Sequence, residues 1–124
     1  MKVTNEARAE EYYKLIAEKN VEEMKKYLHP DVEFYGPLAS LKGKEVVIQA
    51  TNNFMNMFKS LTIRAKFGTD EQAMIVYDVD IPGIAKEFPG ASLLNFHEGL
   101  IVRIQLFYDG SRFLEKKEEI FSKT

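Results

Sequence analysis

This sequence of 124 residues contains no cysteine. Disulfides, thiol nucleophiles and zinc–thiolate sites are therefore excluded, and the absence fits a reducing compartment. The net charge of −2 argues against nucleic-acid binding, because phosphate neutralisation needs a clustered excess of lysine and arginine. No stretch approaches the length of a membrane span, and the polar start, MKVTNEARAEEYYK, lacks the apolar segment of a signal peptide. We therefore expect a cytoplasmic protein without nucleic-acid or membrane partners.

Several motifs that mark cofactor or metal sites are also missing. The chain has no phosphate-binding glycine loop and no G-x-S-x-G elbow. Its two histidines, His29 and His97, lie far apart with no metal-ligand spacing between them. His97 adjoins a predicted hairpin turn and is expected to be exposed. We therefore expect neither a metal nor a cofactor.

The residues that are present suit one folded domain over residues 1–124. The composition is 45% hydrophobic and 29% charged, which provides a core and a soluble surface. Apolar residues first recur at helical spacing. Asn20, with Glu23 three residues later, resembles a capping box, and Pro30 stops the helix that follows. The predicted elements of this half are a helix over roughly 5–19, a second from Asn20, a strand at 32–35 and a helix over roughly 44–58.

Beyond residue 60 the apolar period changes from 3.6 to 2, which is typical of strands. Two hairpins are predicted, one from strands 61–67 and 73–81 and one from strands 92–97 and 100–108. The segment 84–90 is predicted to be a loop, and a last helix covers roughly 112–122. The order α-α-β-α-β-β-β-β-α predicts an α+β fold with the helices on one face of an antiparallel sheet.

Three stretches carry a family resemblance: EYYKLIAEKNVEEMKKYLHPDVEFYGP, LKGKEVVIQA and FHEGLIVRIQLFYD. Together the stretches resemble the SnoaL-like (nuclear transport factor two-like) superfamily, which includes polyketide cyclases, ketosteroid isomerases and limonene epoxide hydrolases. The resemblance implies a cone-shaped α+β fold, in which a curved antiparallel sheet wraps around the helices and encloses a pocket. Because many functions share this scaffold, the function has to be argued from the site.

The resemblance also indicates which side chains face the pocket, because side chains alternate across a strand. Matching the last strand to the isomerases and epoxide hydrolases places Ile104, Leu106 and Tyr108 inside. The same matching over the other elements adds Tyr12, Ile16, Phe34, Leu38, Ala50, Phe54, Val76, Asp78, Asp80, Leu94 and Phe96.

Periodicity taken alone disagrees on the strand 73–81. Its odd positions are uniformly apolar, so they would form the core face and leave Asp78 and Asp80 in solvent. The conflict resolves if the pocket covers one sheet face and a second copy of the chain covers the other. Ile101 and Phe107 are apolar and are expected on the outer face, which also favours a second copy of the chain covering that face. We therefore predict a homodimer through the outer sheet face.

Asp78 and Asp80 are the candidate proton carriers. Two positions apart on a strand, they would lie about 6.6 Å apart on one face. In a partly dry pocket, each carboxylate would raise the pKa of the other toward the range useful for acid–base chemistry. The alternative is a solvated strand end before Pro82. The epoxide hydrolases carry an Arg-x-Asp at the similar positions, and here Asp78 replaces the arginine.

Tyr12 falls where the ketosteroid isomerases place the tyrosine of their oxyanion hole, although an ordinary core aromatic would fit the position equally. Three other positions depart from the catalytic patterns of the family, since they hold Gly36, Leu94 and Leu106. Ketosteroid isomerase and limonene hydrolase activities are therefore disfavoured. Asp109, at the end of the FYD stretch, is expected to cap the last helix.

Three functions stay open at this point. The first is an acid–base enzyme of isomerase, cyclase, dehydratase or hydrolase type that acts on a small, mostly apolar molecule. Asp78 or Asp80 would then carry the proton, and Tyr12 or Tyr108 would donate a hydrogen bond. The second is a non-catalytic protein that binds such a molecule. The third is a dimeric association module whose cavity is filled by side chains.

Overall fold

The computed structural model describes residues 3–116. Its helices are α1 (Asn5–Ala17), α2 (Val21–Met24) with a short 3-10 helix after it (Lys25–Tyr27), and α3 (Lys44–Met55). The second helix starts after Asn20, the capping residue predicted from the sequence, and the first starts after Thr4. The Thr4 hydroxyl accepts a hydrogen bond from the Ala7 N–H at 3.1 Å, and the Asn20 side chain accepts one from the Glu23 N–H at 3.2 Å. These side chains satisfy backbone groups that would otherwise lack partners at the helix N-termini.

Six strands form one mixed sheet in the order β2-β1-β6-β5-β4-β3. The strands are β1 (Leu28–Tyr35), β2 (Ser40–Lys42), β3 (Ser60–Gly68), β4 (Gln72–Ile81), β5 (Ala85–His97) and β6 (Leu100–Phe107). Neighbouring strands are antiparallel except β1 and β6, which run parallel. The antiparallel sheet expected from the sequence is therefore correct for every pair but this one.

Two strands lie partly or wholly in segments predicted to be loops. β2 pairs with the edge of β1, with Phe34 opposite Leu41. The first half of β5 pairs with the end of β4, with Val79 opposite Phe88, although Pro89 and Gly90 interrupt the apolar pattern there. The prediction of a loop over 84–90 was wrong because long-range pairing with β4 overrides the local preferences of proline and glycine.

Register shifts bend the sheet around the helices. They occur between Ile63 and Ala65 in β3 and between Ile101 and Arg103 in β6, and a bulged strand bends and twists more strongly than a regular one. α1 packs against β3 and β4, and α3 packs against β1. The expected α+β fold, with helices on one face of a curved sheet, is confirmed, and the sheet stays open with β2 and β3 at its edges.

After β6 the chain turns into a 3-10 helix, Gly110–Lys116, that carries Phe113 back onto the inner sheet face. Asp109 begins this turn as predicted, since its Oδ1 accepts hydrogen bonds from the Ser111 N–H at 3.1 Å and the Ser111 hydroxyl at 2.7 Å. The rest of the predicted helix over 112–122 lies outside the described residues. Within those residues, none of the helices is long and apolar enough to cross a bilayer.

Candidate functional site

A cavity of about 90 Å³, partly open to the surface, lies between the helices and the inner face of the sheet. Its wall is aromatic and aliphatic, with a few hydroxyl groups as its polar atoms. Sixteen residues line it: Tyr12, Tyr13, Ile16, Phe34, Ala50, Thr51, Phe54, Tyr77, Val79, Ile81, Phe88, Gly90, Ile104, Leu106, Tyr108 and Phe113. None of these sixteen side chains carries a charge at neutral pH, so the electrostatics of the site come from dipoles alone.

The strand register decides which face of β4 meets the cavity. Ile104 on β6 is buried and lines the cavity, and its partner across the strands is Leu94 on β5. Leu94 in turn lies opposite Ala73 on β4. Cross-strand partners point to the same side of a sheet, so the inner face of β4 carries the odd positions, which include Tyr77.

The expectation that Asp78 and Asp80 face the cavity is therefore wrong. Both are even positions on the outer face of β4, where Asp78 Oδ1 lies 3.4 Å from a guanidinium nitrogen of Arg64. Val76 shares this outer face. The apolar odd stripe was the correct indicator, because burying Tyr77 and its odd neighbours removes far more apolar surface from water than burying two carboxylates could.

Eight of the other predicted residues do line the cavity. These are Tyr12, Ile16, Phe34, Ala50, Phe54, Ile104, Leu106 and Tyr108. Leu94 points inward but is fully buried in the core, at 0% exposure, and has no cavity surface. Phe96 lies opposite Ile101, just past the register shift between β5 and β6, and packs half-buried against the core. Leu38, in the loop before β2, also packs half-buried against the core. These three predictions therefore identified core residues and not cavity wall.

The remaining lining residues were missed. Tyr77, Val79 and Ile81 were signalled by the apolar alternation of β4. Phe88 and Gly90 were hidden in the supposed loop, and Phe113 comes from the turn after β6. Tyr13 adjoins the predicted Tyr12, and both tyrosines are buried and reach the cavity because their rings pack edge to face, with centroids 5.3 Å apart.

Three hydroxyl groups meet in the wall of the cavity. The Tyr13 hydroxyl donates a hydrogen bond to Ser92 Oγ, and the Tyr77 hydroxyl lies 3.1 Å from the same oxygen. The rings of Tyr13 and Tyr77 stack at 5.2 Å between centroids with an interplanar angle of 25°. Burial raises the pKa of both phenols, and that of Tyr13 moves well above its ordinary value. Both therefore stay protonated at neutral pH and act as hydrogen-bonding dipoles.

Gly90 makes room for this arrangement. It lies opposite Tyr77 across β4 and β5, and a Cβ atom added to Gly90 would lie 2.9 Å from Tyr77 Cε1. The phenol ring thus crosses β5 directly over the glycine, which lets its hydroxyl reach Ser92. Glycine is the residue that permits this approach, because any side chain would occupy the same space.

Tyr12 and Tyr108 bring two further phenols to the wall. Tyr12 is 1% exposed, and burial raises its pKa as it packs between Tyr13 and Tyr27. Burial also raises the pKa of Tyr108 to about 12. A Cβ atom added to Gly36 would lie 3.6 Å from Leu106 Cβ, so Gly36 borders the cavity wall without adding a side chain to it.

An aromatic cluster closes one side of the cavity. Phe113 lies edge to face against Phe88, with centroids 5.1 Å apart, and against Tyr108 at 5.5 Å. Arg112 anchors the same turn by donating a hydrogen bond to the carbonyl of Ile84. Phe113 is 3% exposed whereas its neighbour Leu114 is 64% exposed. The turn after β6 therefore covers the cavity with one side chain, that of Phe113.

The outer sheet face carries a second apolar surface. Phe67 and Phe107 are 61% and 46% exposed. Both lie on this face, because Phe67 pairs with Met74 and Phe107 pairs with Ala91. Arg64 and Asp78 lie beside this surface, and the Arg103 guanidinium stacks over the Tyr35 ring at 4.8 Å. The outer face therefore combines exposed apolar side chains with charged groups of both signs.

The two histidines do not contribute to the cavity wall or to the apolar surface of the outer sheet face. His97 is exposed, as expected, with Nε2 3.7 Å from Glu98, and His29 Nδ1 accepts a hydrogen bond from the Asp31 N–H at 3.0 Å. Within residues 3–116, no three histidine, aspartate or glutamate side chains are grouped closely enough to hold a metal ion.

The fold and the apolar cavity are those of a small cone-shaped α+β domain. Comparison of the sequence with family profiles identifies the family. The sequence profile of the SnoaL-like domain matches residues 9–104. The chain therefore belongs to the SnoaL-like family. Comparison with curated protein sequences gives no significant match.

Solved structures agree on the fold. A protein from Kribbella flavida is similar with a TM-score of 0.85 and 16% identity, covering 94% of this chain and 95% of that one. A steroid delta-isomerase from Pseudomonas aeruginosa is similar with a TM-score of 0.76 and 22% identity, covering 92% and 86%. A candidate polyketide cyclase from Pseudomonas putida is similar with a TM-score of 0.71 and 14% identity, covering 92% and 98%. At these identities the likeness establishes the fold alone.

Proposed function

We propose that this protein binds a small, mostly apolar molecule in the cavity between its helices and its sheet. The observation that carries the proposal is the wall itself, in which sixteen uncharged and mainly aromatic or aliphatic residues surround a space of about 90 Å³. Ligand pockets are commonly apolar with a few placed polar groups. The space is smaller than the roughly 150 Å³ apolar cavity that holds benzene in another protein. A ligand therefore has few atoms, or it extends through the open side of the cavity toward the surface.

Binding without conversion is favoured over acid–base catalysis. A proton carrier must exchange its proton near neutral pH. The ionisable groups on the wall are tyrosines, and burial raises the pKa values of Tyr12, Tyr13, Tyr77 and Tyr108 away from that range. The two carboxylates proposed as proton carriers lie on the other face of β4. We therefore do not propose an isomerase or cyclase activity for this chain.

The test uses xenon and benzene as apolar probes, with binding followed by changes in the methyl NMR signals of the cavity wall. We expect Ala50→Leu, which fills the cavity from α3, to abolish binding of both probes. Gln49→Leu adds the same side chain one position earlier, on the exposed surface of α3, and serves as the control. Probe binding that survives Ala50→Leu, or wild-type protein that binds neither probe, would contradict the proposal.

The outer sheet face supports a second proposal, a homodimer formed through that face. Exposed large apolar side chains on one face are characteristic of protein interfaces, and Phe67 and Phe107 provide them here. The same face holds both signs of charge, in Arg64 beside Asp78 and in Arg103. A second copy related by a two-fold axis can bring opposite charges together across such a face.

Sedimentation equilibrium tests the dimer. Phe107→Asp and Phe67→Asp are each expected to weaken association, because a carboxylate would have to be buried in the interface without a partner. Val3→Asp changes an equally exposed apolar residue next to α1, away from the sheet, and should leave association unchanged. A wild-type protein that sediments as a monomer at every concentration would rule the dimer out.

A further inference from the structure

The three hydroxyls of Tyr13, Ser92 and Tyr77, here named the hydroxyl cluster, are the concentrated polar feature of an otherwise apolar site. Tyr13 donates to Ser92 Oγ, and Tyr77 shares a hydrogen bond of 3.1 Å with the same oxygen, in which either group can donate. All three side chains are less than a tenth exposed, and both tyrosines line the cavity. The cluster is thus shielded from bulk water, and two of its three side chains border the space where a ligand would lie.

Counting hydrogens shows that the cluster has capacity for a further partner. Three hydroxyls carry three hydrogens, and each oxygen can also accept. If they form an open chain through Ser92, two hydrogens are used and the third can be donated to a new partner. If they form a closed ring, all three hydrogens are used, but each oxygen keeps a lone pair that can accept. A ligand hydroxyl satisfies either arrangement, because it both donates and accepts.

The surroundings decide the charge of the ligand. The sixteen wall residues include no aspartate, glutamate, lysine, arginine or histidine. A carboxylate or an ammonium group placed there would lose its hydration without gaining an opposite charge, which is costly. An uncharged ligand with its one polar group at the cluster avoids that cost. The rest of the wall then contacts hydrocarbon.

We propose that the hydroxyl cluster binds the hydroxyl group of an uncharged, otherwise hydrocarbon-like ligand. This inference rests on the proposed function, since it specifies the chemistry of the molecule held in the same cavity. Tyr77 is the residue best placed for the contact. Its ring is fixed by stacking on Tyr13 and by the close approach to Gly90, so its hydroxyl is held in position before the ligand enters.

Phenol and benzene are a matched probe pair, because they differ by one hydroxyl on the same ring. The ratio of their affinities is measured by titration of wild-type protein, of Tyr77→Phe and of a control variant, Tyr27→Phe. We expect Tyr77→Phe to keep its affinity for benzene. Its ratio of phenol affinity to benzene affinity should fall about three- to tenfold, which corresponds to the loss of one hydrogen bond. Tyr27→Phe also removes a phenol hydroxyl, but Tyr27 does not line the cavity, so the ratio should not change.

The outcomes separate this inference from the proposed function. If wild-type protein binds benzene but Tyr77→Phe leaves the phenol-to-benzene ratio unchanged, the hydroxyl cluster is not the recognition point and the proposed function still stands. If wild-type protein binds neither probe, the proposed function itself fails. Should Tyr77→Phe not fold, Ser92→Ala removes the central oxygen of the cluster, and an unchanged ratio in that variant would equally overturn the inference.

Discussion

Replacing Gly90 of the cavity wall by alanine should lower the stability of the protein, whereas the same substitution at Gly36, which lies beside Leu106 of that wall, should raise it. In Gly90→Ala the new Cβ would lie 2.9 Å from Tyr77 Cε1 and 3.3 Å from Tyr77 Cζ. In Gly36→Ala the nearest atom is Leu106 Cβ at 3.6 Å, an ordinary van der Waals contact, and Gly36 does not have a positive φ. The first methyl group must displace a ring, whereas the second fits into existing space.

The ring of Tyr77 cannot yield without loss. It is 7% exposed, stacks on Tyr13 and shares a hydrogen bond with Ser92. Forcing a methyl group into packed surroundings costs about 1–3 kcal/mol. Replacing glycine by alanine where the backbone permits it recovers about 0.4–1 kcal/mol from the unfolded state. We therefore expect the free energy of unfolding to fall by about 0.5–2 kcal/mol in Gly90→Ala and to rise by about 0.4–1 kcal/mol in Gly36→Ala.

Urea unfolding followed by circular dichroism measures both free energies. A double variant isolates the cause, because Tyr77→Val removes the ring that the new methyl group would meet. In that background Gly90→Ala should lose its penalty, which would appear as a coupling energy between the two positions. The reasoning is refuted if Gly90→Ala is as stable as Gly36→Ala, or if its penalty persists after the ring is removed.

Two further predictions concern the aromatic residues. Phe113→Ala should lower the free energy of unfolding by about 3–5 kcal/mol, because it empties a buried site. The control, Leu114→Ala, removes an exposed side chain and should change the free energy of unfolding by no more than about 0.5 kcal/mol. Equal effects of the two substitutions in urea unfolding would contradict the burial of Phe113. The protein should also lose stability above pH 10. Burial raises the pKa of Tyr13 and of Tyr77 above 10.0, the value in the unfolded chain. Above pH 10 the unfolded chain therefore binds fewer protons than the folded one. Stability is intact below pH 10 and falls above it by about 1.4 kcal/mol per pH unit for each such tyrosine, which phenolate absorbance and circular dichroism should show as ionisation coincident with unfolding.

The cavity wall shows where sequence reasoning succeeded and where it did not. Matching to the related families correctly placed Ala50, Phe54 and Ile104 on the cavity wall, and the alternation of side chains within each element agrees with that placement. Asp78 was misplaced because its face was assigned by matching to other proteins, against the apolar alternation of its own strand. Phe88 was missed because the proline and glycine that follow it predict a loop until the partner strand is known.

The sequence by itself determined the order of the helices, most of the strands, the capping residues and the family, since these depend on short-range patterns and backbone sterics. Only the tertiary structure decided the pairing of β5 with the end of β4, the position of Phe113 over the cavity and the meeting of Tyr13, Tyr77 and Ser92. Those three hydroxyls come from one helix and two strands, and Tyr13 and Ser92 are 79 positions apart in the chain. Their contact depends on the register and curvature of the whole sheet, which no local pattern encodes.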